Sequence, residues 1–353
     1  MNDKSKIIVN TRILHSPTTG VQRYLQELLT RIPPNKIRVE SPSVASFSGI
    51  KAHLWEQTIL PIRVSKNLLW SPANTGPIAI RNQVVSIHDM SAVEHPEWFS
   101  KNFSAWYRFL LPKLAQRVQK ILTDSEFSRD RIVDICQIDD KKVVVINGAA
   151  DMRFFKKPPE DIKAARKALS IPTENYILAV GSLEPRKNLG YLLKAWSIVQ
   201  PLLPHSLWLI LSGAKGKSMV FRDVPFENLP SHVHLTGFVP DQLLPALYSG
   251  AKAFVYPSLY EGFGLPPLEA MACGTPVIVS NTTSLPEVVG NAGLRVDPLN
   301  VEQIADAIQR LVTNNNLHQS LQKKGLERAK LFSWDKTAAS TWNVLQEVAE
   351  NLS

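Results

Sequence analysis

Short apolar runs alternate with helix-length stretches along almost the whole chain, and this alternation restricts the possible folds more than any other feature. In the first part of the chain the runs lie at Lys6–Asn10, Leu68–Trp70, Gln83–Ile87, Lys120–Thr123 and Val143–Ile146. Runs of this length, separated by helices, are typical of parallel sheets built from strand-helix-strand units. We therefore predict one α/β domain over residues 1–155.

The alternation returns after a charged, proline-bearing stretch over residues 156–172, which we interpret as a linker. The second set of strands is predicted near Tyr176–Val180, Leu207–Leu211, Val233–Leu235, Ala253–Tyr256 and Pro276–Ser280. Helices are predicted near Leu189–Val199, Gln242–Ser249, Pro266–Ala272 and Val301–Val312. These elements predict a second α/β domain over residues 173–333, and a final helix over residues 334–353 has no strand after it.

Composition and cysteine usage exclude several classes of protein. Of the 353 residues, 44% are hydrophobic and 20% are charged, which is unlike collagen, a coiled coil or a disordered chain. No apolar run reaches the roughly 18 residues of a membrane-spanning helix, and the start at Met1–Lys6 lacks a signal-peptide pattern. Cys136 and Cys273 are far apart in sequence and have no metal-ligand spacing. We expect a folded cytoplasmic protein without disulfides or zinc.

The net charge of +9 lies mainly in the first half of the chain. Residues 1–150 contain 20 Lys and Arg against 13 Asp and Glu, whereas residues 151–353 contain 20 against 18. Nucleic acid, an anionic membrane surface, a phosphorylated substrate or an ordinary basic surface would each fit this excess. Nucleic acid is disfavoured, because the sequence has no helix-turn-helix, zinc-finger or RNA-binding aromatic motif.

The loop and helix after the predicted strand Ala253–Tyr256 carry the strongest functional pattern. The loop contains Glu261, and Gly262 and Gly264 let a ligand approach the main chain, while the helix start offers N–H groups to an anion. Glu269 follows Glu261 by eight residues, so the two carboxylates can accept hydrogen bonds from different hydroxyls of one extended ligand. Taken alone, the pair also fits a solvated loop residue and a carboxylate that complements the helix dipole.

A second pattern follows the predicted strand Tyr176–Val180, where a turn leads into a helix. Arg186 and Lys187 precede this helix, so two cations and the helix N–H groups can hold a diphosphate and stabilise it as a leaving group. Asn188 is predicted to cap the helix. Taken alone, the Arg-Lys pair also fits a solvated turn.

Taken together, four stretches resemble a known family. They are Thr19-Gly20, Gly181-Ser182-Leu183-Glu184-Pro185-Arg186-Lys187-Asn188, Glu261-x7-Glu269 and Ser284-Leu285-Pro286-Glu287-Val288. In this order they are similar to the retaining nucleotide-sugar transferases of glycosyltransferase family 4, and the resemblance spans nearly the whole chain. It implies an α/β GT-B architecture, in which two Rossmann-like domains face a central cleft and the last helix crosses back to the N-terminal domain. It also implies that the first domain binds the acceptor and the second binds the nucleotide sugar.

The resemblance implies roles for individual residues. Glu269 is implied to bind the donor ribose, and Glu261 is implied to orient the transferred sugar. Arg186 and Lys187 are implied to hold the diphosphate. His88 is implied to lie by the donor sugar and to stabilise charge in the transition state. The remaining implied donor-binding positions are Gly20, Gly237, Phe238, Val239, Gly262, Phe263, Gly264 and Leu265.

The activity implied by the resemblance is retaining transfer of a hexose from a nucleotide diphosphate sugar to a saccharide acceptor, expected to be lipid-linked. The expected process is bacterial surface polysaccharide synthesis, of O-antigen or exopolysaccharide, at the cytoplasmic face of the inner membrane. Mannose or rhamnose is favoured, with GDP-mannose as donor, because Thr19–Tyr24 and Gly181–Asn188 are similar to mannosyl- and rhamnosyltransferases. A UDP-sugar is the alternative donor.

A nucleotide-sugar 2-epimerase is the first alternative, but such enzymes resemble the fold and not this spacing of Arg186-Lys187 and Glu261-x7-Glu269. A catalytically silent binding subunit is the second, but it would have no chemical reason to retain all of the implied site residues, namely Glu261, Glu269, Arg186, Lys187 and His88.

The sequence predicts no metal and no cofactor besides the donor. It contains no Asp-x-Asp triplet, so a metal clamp on the diphosphate has no candidate. Arg186 and Lys187 must then supply the positive charge that stabilises the leaving group.

The segment Phe103–Leu122 is the candidate for contact with an anionic membrane surface. Lys113, Arg117 and Lys120 have the spacing of one helix face, close in sequence to several aromatic side chains. Pro112 interrupts this pattern, so an ordinary surface helix that packs on the sheet is the alternative.

Overall fold

The computed structural model describes residues 7–15, 19–42, 49–213 and 229–352. The chain start at Met1–Lys6, which we expect to lack a signal peptide, lies outside these residues. The chain divides into two compact units. The first unit comprises Met1–Glu94, Ser104–Gly148 and Ser333–Ser353, and the second comprises His95–Phe103 and Ala149–Phe332.

A parallel sheet forms the centre of the first unit. Its strands are β1 (Ile7–Asn10), β2 (Ile37–Glu40), β3 (Leu69–Ser71), β4 (Gln83–Ser86), β5 (Lys120–Thr123) and β6 (Val143–Val145). Their spatial order is β2-β1-β3-β4-β5-β6. The helices of this part of the chain are α1 (Gly20–Leu29), α2 (Ile50–Val64), α3 (Ser91–Glu94), α4 (Lys101–Arg117) and α5 (Glu126–Cys136). All four residues of β1 and of β4 are buried, as expected for a parallel sheet with helices on both faces.

The second unit repeats this architecture. Its strands are β7 (Asn175–Val180), β8 (Leu207–Ser212), β9 (Val233–Gly237), β10 (Ala253–Tyr256), β11 (Val277–Ser280) and β12 (Gly293–Val296), in the order β12-β11-β10-β7-β8-β9. Its helices are α6 (Pro159–Ala168), α7 (Leu189–Val199), α8 (Leu244–Gly250), α9 (Leu265–Ala272), α10 (Leu285–Val289), α11 (Val301–Thr313) and α12 (Asn315–Ala329). The last helix of the chain, α13 (Trp334–Glu350), belongs to the first unit.

The sequence-based prediction of two parallel α/β domains is confirmed, but it does not include β2 or β12. Both are edge strands of their sheets. An edge strand has one neighbour and a partly exposed surface, and β2 accordingly alternates as Ile37, Arg38, Val39 and Glu40 with both central residues exposed. Such a strand lacks the continuous apolar run by which the central strands are recognised.

The boundaries of the units differ from the sequence expectation. Residues 156–172, expected to be a linker, contain α6, which packs on α8 within the second unit. The main-chain N–H of Lys157 donates to Ser249 Oγ at 3.0 Å. In the first unit, as the resemblance implies, α13 packs on α1, with Tyr24 and Trp334 ring centroids 6.1 Å apart.

Asn188 holds the turn after β7 in place in a way that the sequence does not predict. It occupies the N-cap position of α7 with φ of 57°, but its side chain makes no capping bond. The amide instead donates to the carbonyl oxygens of Pro257, at 3.1 Å, and Pro298, at 2.7 Å. Asn188 therefore ties the turn after β7 to the loop after β10.

We expect Asn188→Ala to lower the free energy of unfolding of the second unit by about 2–4 kcal/mol. The variant loses two buried hydrogen bonds, and alanine tolerates the left-handed backbone of this position less well than asparagine does. Asn188→Gly also loses the bonds but tolerates the backbone, so its cost should be about 1 kcal/mol smaller. Urea denaturation followed by circular dichroism measures both, and equal midpoints for the wild type and both variants would contradict this assignment.

Candidate active site

The strand order of the second unit creates a place where two loops separate. β7 lies between β8 and β10, so the chain leaves β7 toward one side of the sheet and returns to the other side through β10. In open α/β sheets, ligands bind at the carboxyl ends of the strands at such a switch point. The turn after β7 carries Arg186 and Lys187, and the loop after β10 carries Glu261. The fold thus brings together residues that are about 75 positions apart in the sequence.

Glu261 is buried and surrounded by hydrogen-bond donors. Its Oε1 accepts from Lys187 Nζ at 2.7 Å, from Tyr256 OH at 2.9 Å and from Ser258 Oγ at 2.6 Å. Its Oε2 accepts from Arg186 Nη1 at 2.9 Å. Oε1 accepts three of these hydrogen bonds and Oε2 accepts one. Oε2 can therefore accept a further hydrogen bond from a ligand hydroxyl.

The charges in this cluster explain the ionisation of Glu261. Burial alone would raise the pKa of the carboxyl, but Arg186 and Lys187 outweigh burial and lower the pKa of Glu261 to about 2. Burial and the neighbouring Arg186 lower the pKa of Lys187 below its ordinary value, while Glu261 and Glu184 oppose that effect. Glu261 is therefore a carboxylate throughout the physiological pH range and is poorly suited to donate a proton.

Glu184 is a second buried carboxylate of this cluster, and the sequence analysis assigns it no role. Its Oε1 lies 2.6 Å from Arg186 Nε and 3.9 Å from Lys187 Nζ. Two cations and two carboxylates therefore lie together at the end of β7. The position of Glu184, directly before Pro185-Arg186-Lys187, is the sequence signal that could have identified it.

Serine hydroxyls fix the loop that carries Glu261, and sequence reasoning overlooked most of them. Ser284 Oγ lies 2.9 Å from the carbonyl oxygen of Glu261 and 2.7 Å from that of Phe263. Ser280 Oγ donates to the carbonyl oxygen of Ser258 at 2.6 Å. These bonds connect the loop to the elements that follow it, so Glu261 is held by its main chain as well as by its side chain.

The loop passes into α9 at Gly264, as the sequence predicts. Gly264 has φ of 114°, and a Cβ atom there would lie 2.7 Å from Leu285 Cδ2, so only glycine fits. Gly262 and Phe263 are buried, and the Phe263 ring meets Phe332 edge to face. Leu265 begins the helix, whose first N–H groups have no partner within the helix itself.

Glu269 lies one turn into α9 and belongs to a different set of contacts from Glu261. It is 5% exposed, and its Oε2 accepts from Tyr248 OH at 3.1 Å. Burial and the nearby Glu269 carboxylate raise the pKa of Tyr248 well above its ordinary value, so the phenol stays a donor. The two glutamates of the Glu261-x7-Glu269 pattern are thus fixed separately, as two different ligand contacts require.

The segment Gly237-Phe238-Val239 lies at the carboxyl end of β9, on the same edge of the sheet. Gly237 has φ of 68°, Val239 is buried and the Phe238 side chain is 73% exposed. Its backbone joins the neighbouring turn, because the Gly213 N–H donates to the Gly237 carbonyl oxygen at 2.9 Å. A Cβ atom at Gly213 would lie 1.8 Å from the Gly181 carbonyl oxygen, so the turns after β7, β8 and β9 are in close contact.

In the first unit, His88 follows β4 and both of its ring nitrogens face acceptors. Nδ1 is 2.7 Å from Asp124 Oδ2, and Nε2 is 3.0 Å from the carbonyl oxygen of Pro72. Asp124 follows β5, the strand beside β4, which is the signal by which the sequence analysis could have found it. The Tyr24 ring packs edge-on to the imidazole at 4.9 Å. Gly20, the other site residue expected in this unit, is exposed at the first position of α1.

The membrane-contact hypothesis for Phe103–Leu122 needs correction in its geometry. α4 continues through Pro112 but ends at Arg117, so Lys120 lies in β5 and does not extend the helix face. Arg117 Nε donates to the Ile78 carbonyl oxygen, and Lys120 Nζ donates to the Lys141 carbonyl oxygen, each at 2.8 Å. In the described ranges no helix has the length and hydropathy to span a bilayer.

We expect the His88 imidazole to titrate above its ordinary value of 6.5 and to return toward or below it in Asp124→Asn. Burial favours the neutral ring, but the Asp124 carboxylate, the carbonyl oxygen of Pro72 and the Asp89 carboxylate together outweigh burial and raise the pKa of His88. The stability that this pair contributes is complete below pH 6.5 and disappears as the pH rises through the raised pKa. Histidine ring chemical shifts in NMR and pH-dependent melting measure both effects.

Asp89→Asn is the matched control, since Asp89 also faces His88 but contributes least to its pKa. Equal shifts of the His88 pKa in both variants would contradict the pairing with Asp124.

Comparisons with known proteins agree with this architecture. Residues 161–328 match the family described as "Glycosyl transferases group 1". The chain is 32% identical over 375 residues to the O-antigen chain mannosyltransferase B of Escherichia coli, covering 96% of this chain and 98% of the relative. It is 33% identical over 263 residues to the O-antigen chain mannosyltransferase RfbU of Salmonella typhimurium, covering 70% of this chain and 68% of the relative.

Solved structures show the same fold at low sequence identity. Anabaena Alr3699/HepE in complex with UDP and glucose superposes with a TM-score of 0.73 at 16% identity, over 97% of this chain and 99% of that one. WaaG, a glycosyltransferase involved in lipopolysaccharide biosynthesis, superposes with a TM-score of 0.73 at 15% identity, over 96% and 99%. The fold is therefore the GT-B fold. With the full-length relatedness to the Escherichia coli enzyme, this shows that the chain belongs to the group 1 glycosyl transferases and is a glycosyltransferase.

Proposed function

We propose that this protein transfers mannose from GDP-mannose to the saccharide of a lipid-linked acceptor during O-antigen chain synthesis, with retention of anomeric configuration and without a metal ion. The observation that carries the proposal is the cluster of Arg186, Lys187 and Glu261 at the β7–β10 switch point. It combines cations for a diphosphate with a fixed carboxylate for a sugar. The relatives from Escherichia coli and Salmonella typhimurium are both O-antigen chain mannosyltransferases, which supports mannose as the transferred sugar and the O-antigen as the product.

The donor would bind at the switch point of the second unit, with a different group of side chains for each of its parts. Arg186 and Lys187 would exchange part of their contact with the carboxylates for the donor diphosphate, which adds negative charge at the same place. Glu269 would accept hydrogen bonds from the ribose. The exposed ring of Phe238, at the same sheet edge, would lie against the base.

The charged groups of the site determine how the sugar would be transferred from the donor to the acceptor. The leaving diphosphate carries negative charge away from the sugar, and Arg186 and Lys187 stabilise that charge. Glu261 has a low pKa and several fixed donors, so it is a weak base and a weak nucleophile, and we assign it to orienting the sugar. The acceptor proton would pass to the leaving phosphate as the acceptor oxygen attacks from the same face. For His88, whose protonated form Asp124 favours, we propose the role that the resemblance implies, stabilisation of charge in the transition state.

A UDP-sugar is the second candidate donor. It is supported by Anabaena HepE, a protein of the same fold whose solved structure contains UDP and glucose. The epimerase is the weaker hypothesis because it does not account for the spacing of Arg186-Lys187 and Glu261-x7-Glu269. The silent binding subunit is weaker because it does not account for an ionised Glu261 held between Arg186 and Lys187.

We expect GDP and GDP-mannose to raise the melting temperature by about 5 °C at roughly 100 times their dissociation constants, with EDTA present, and UDP to give a smaller shift. The shift should be lost in Glu269→Gln, which keeps an acceptor for Tyr248 but removes the charge that binds the ribose. Glu302→Gln, an exposed glutamate in the first turn of α11, is the matched control and should keep the shift.

Each alternative in this panel has a distinct result. A larger shift with UDP would replace the donor assignment. A shift that EDTA abolishes and magnesium restores would overturn metal independence. No shift with any nucleotide would favour the binding-subunit hypothesis.

We expect Glu261→Gln to reduce kcat at least about 100-fold, because the variant loses the charge that balances Arg186 and Lys187 and orients the sugar. Glu302→Gln should retain the wild-type rate. The product of the wild-type enzyme should keep the α configuration of the donor, which NMR coupling constants of the anomeric carbon measure. A covalent mannosyl adduct on Glu261 in intact-mass spectra would contradict the orienting role.

A further inference from the structure

Glu184 is a buried carboxylate in the turn that would hold the donor diphosphate, and the proposed function gives it no role. Its side chain has no exposed surface. The main chain fixes its position, since the Glu184 N–H donates to the Ser182 carbonyl oxygen at 2.9 Å and the Lys187 N–H donates to the Glu184 carbonyl oxygen at 3.1 Å. Glu184 is therefore part of the turn itself and is covered by protein.

The Glu184 carboxylate faces the two cations of the turn. Its Oε1 lies 2.6 Å from Arg186 Nε and 3.9 Å from Lys187 Nζ. These contacts are ion pairs without the alignment of a hydrogen bond, because neither carboxylate oxygen has a hydrogen-bond partner in the part of the chain that the structure describes. Buried carboxylates are usually fixed by hydrogen bonds, as Glu261 is. Glu184 therefore acts on its surroundings through its charge.

The two carboxylates of the cluster differ in how a ligand can affect them. Glu261 lies on the loop after β10, is 7% exposed, and its Oε2 accepts from Arg186 Nη1 at 2.9 Å. A bound diphosphate could take over this contact. Glu184 belongs to the same turn as Arg186 and has no exposed surface, so a ligand cannot displace it. Its negative charge would stay beside the cations while the ligand is bound.

The charge of the ligand changes during the proposed reaction. The bond between the anomeric carbon and the phosphate oxygen breaks as the acceptor oxygen bonds to that carbon, and the acceptor proton passes to the leaving phosphate and then to water. The terminal phosphate of the product has a second pKa of about 6, so the product is more negative than the donor at neutral pH. Two cations without a counter-charge would therefore hold the product more tightly than the donor.

We propose that Glu184 is a fixed counter-charge that weakens the binding of the nucleoside diphosphate product by Arg186 and Lys187 and so speeds product release. This inference deepens the proposed function and rests on it for the diphosphate and for the transfer step. Glu184 acts through the two cations and contacts neither donor nor acceptor, so it is not a catalytic residue.

The test compares Glu184→Gln with the wild type, because glutamine keeps the shape of the side chain and removes the charge. The variant should bind GDP about tenfold more tightly in isothermal titration calorimetry, as expected when a like charge close to the ligand is removed. GDP-mannose should gain by a smaller factor, because it carries less negative charge. The dissociation rate of GDP, measured by stopped-flow displacement, should fall. A merely structural role would weaken the binding of both ligands.

Glu174→Gln is the matched control. Glu174 pairs with Arg166 at 2.5 Å, is exposed, and directly precedes β7, whereas Glu184 follows the other end of that strand. The substitution removes the same charge from the same unit and should leave GDP binding unchanged. Glu184→Asp keeps the charge in the turn and should bind GDP within about threefold of the wild type.

Weaker or unchanged GDP binding in Glu184→Gln would overturn the proposal, as would equal affinities of Glu184→Asp and Glu184→Gln. A gain for GDP-mannose as large as the gain for GDP would overturn the link to product release. The same measurements with UDP separate this inference from the choice of base, since the counter-charge acts on the diphosphate of either nucleotide. A wild type that binds neither nucleotide would overturn the proposed function as well, whereas binding that Glu184→Gln leaves unchanged overturns this inference alone.

Discussion

Burying Arg186 and Lys187 at the end of β7 would be costly without the two carboxylates that accompany them. An unpaired charge removed from water destabilises a fold by several kcal/mol, and pairing with hydrogen bonds offsets much of that cost. Glu184 comes from the same turn, but Glu261 comes from the loop after β10, so the ion pairs also fix one loop against the other. The position of the turn, the loop and the start of α9 in the second unit follows from this pairing.

The first unit solves a similar problem at its own switch point, between β1 and β3. Arg12 follows β1 and donates through Nε to Glu56 Oε1 at 2.9 Å, and Asn10 Nδ2 donates to the same oxygen at 2.7 Å. Burial alone would raise the pKa of Glu56, but Arg12 and His53 lower the pKa of this carboxyl to about 2. In both units a carboxylate thus neutralises an arginine at the carboxyl edge of the sheet. Because Glu56 lies in α2, this ion pair also fixes α2 against the end of β1.

Much of the fold can be predicted from the sequence, for a physical reason. Central parallel strands must be apolar on both faces, so β5 and β10 are predicted with the bounds that the structure has. The edge strands β2 and β12 carry no such requirement and are not predicted. α4 shows a related limit, because spacing alone places Lys120 on a helix face that ends at Arg117, where pairing of the next segment with β4 takes over.

The sequence by itself determined which chemical groups the second unit's candidate site contains. They are two cations, two glutamates eight residues apart, and a glycine at the position where the backbone is left-handed. These features are local, since residue type and short spacing define them. The partners of each group were decided only by the tertiary structure. Tyr256 and Ser258 around Glu261, Tyr248 at Glu269 and Asp124 at His88 all depend on strand order and helix packing. Such contacts join residues far apart in the chain, and no local pattern encodes which of them will meet.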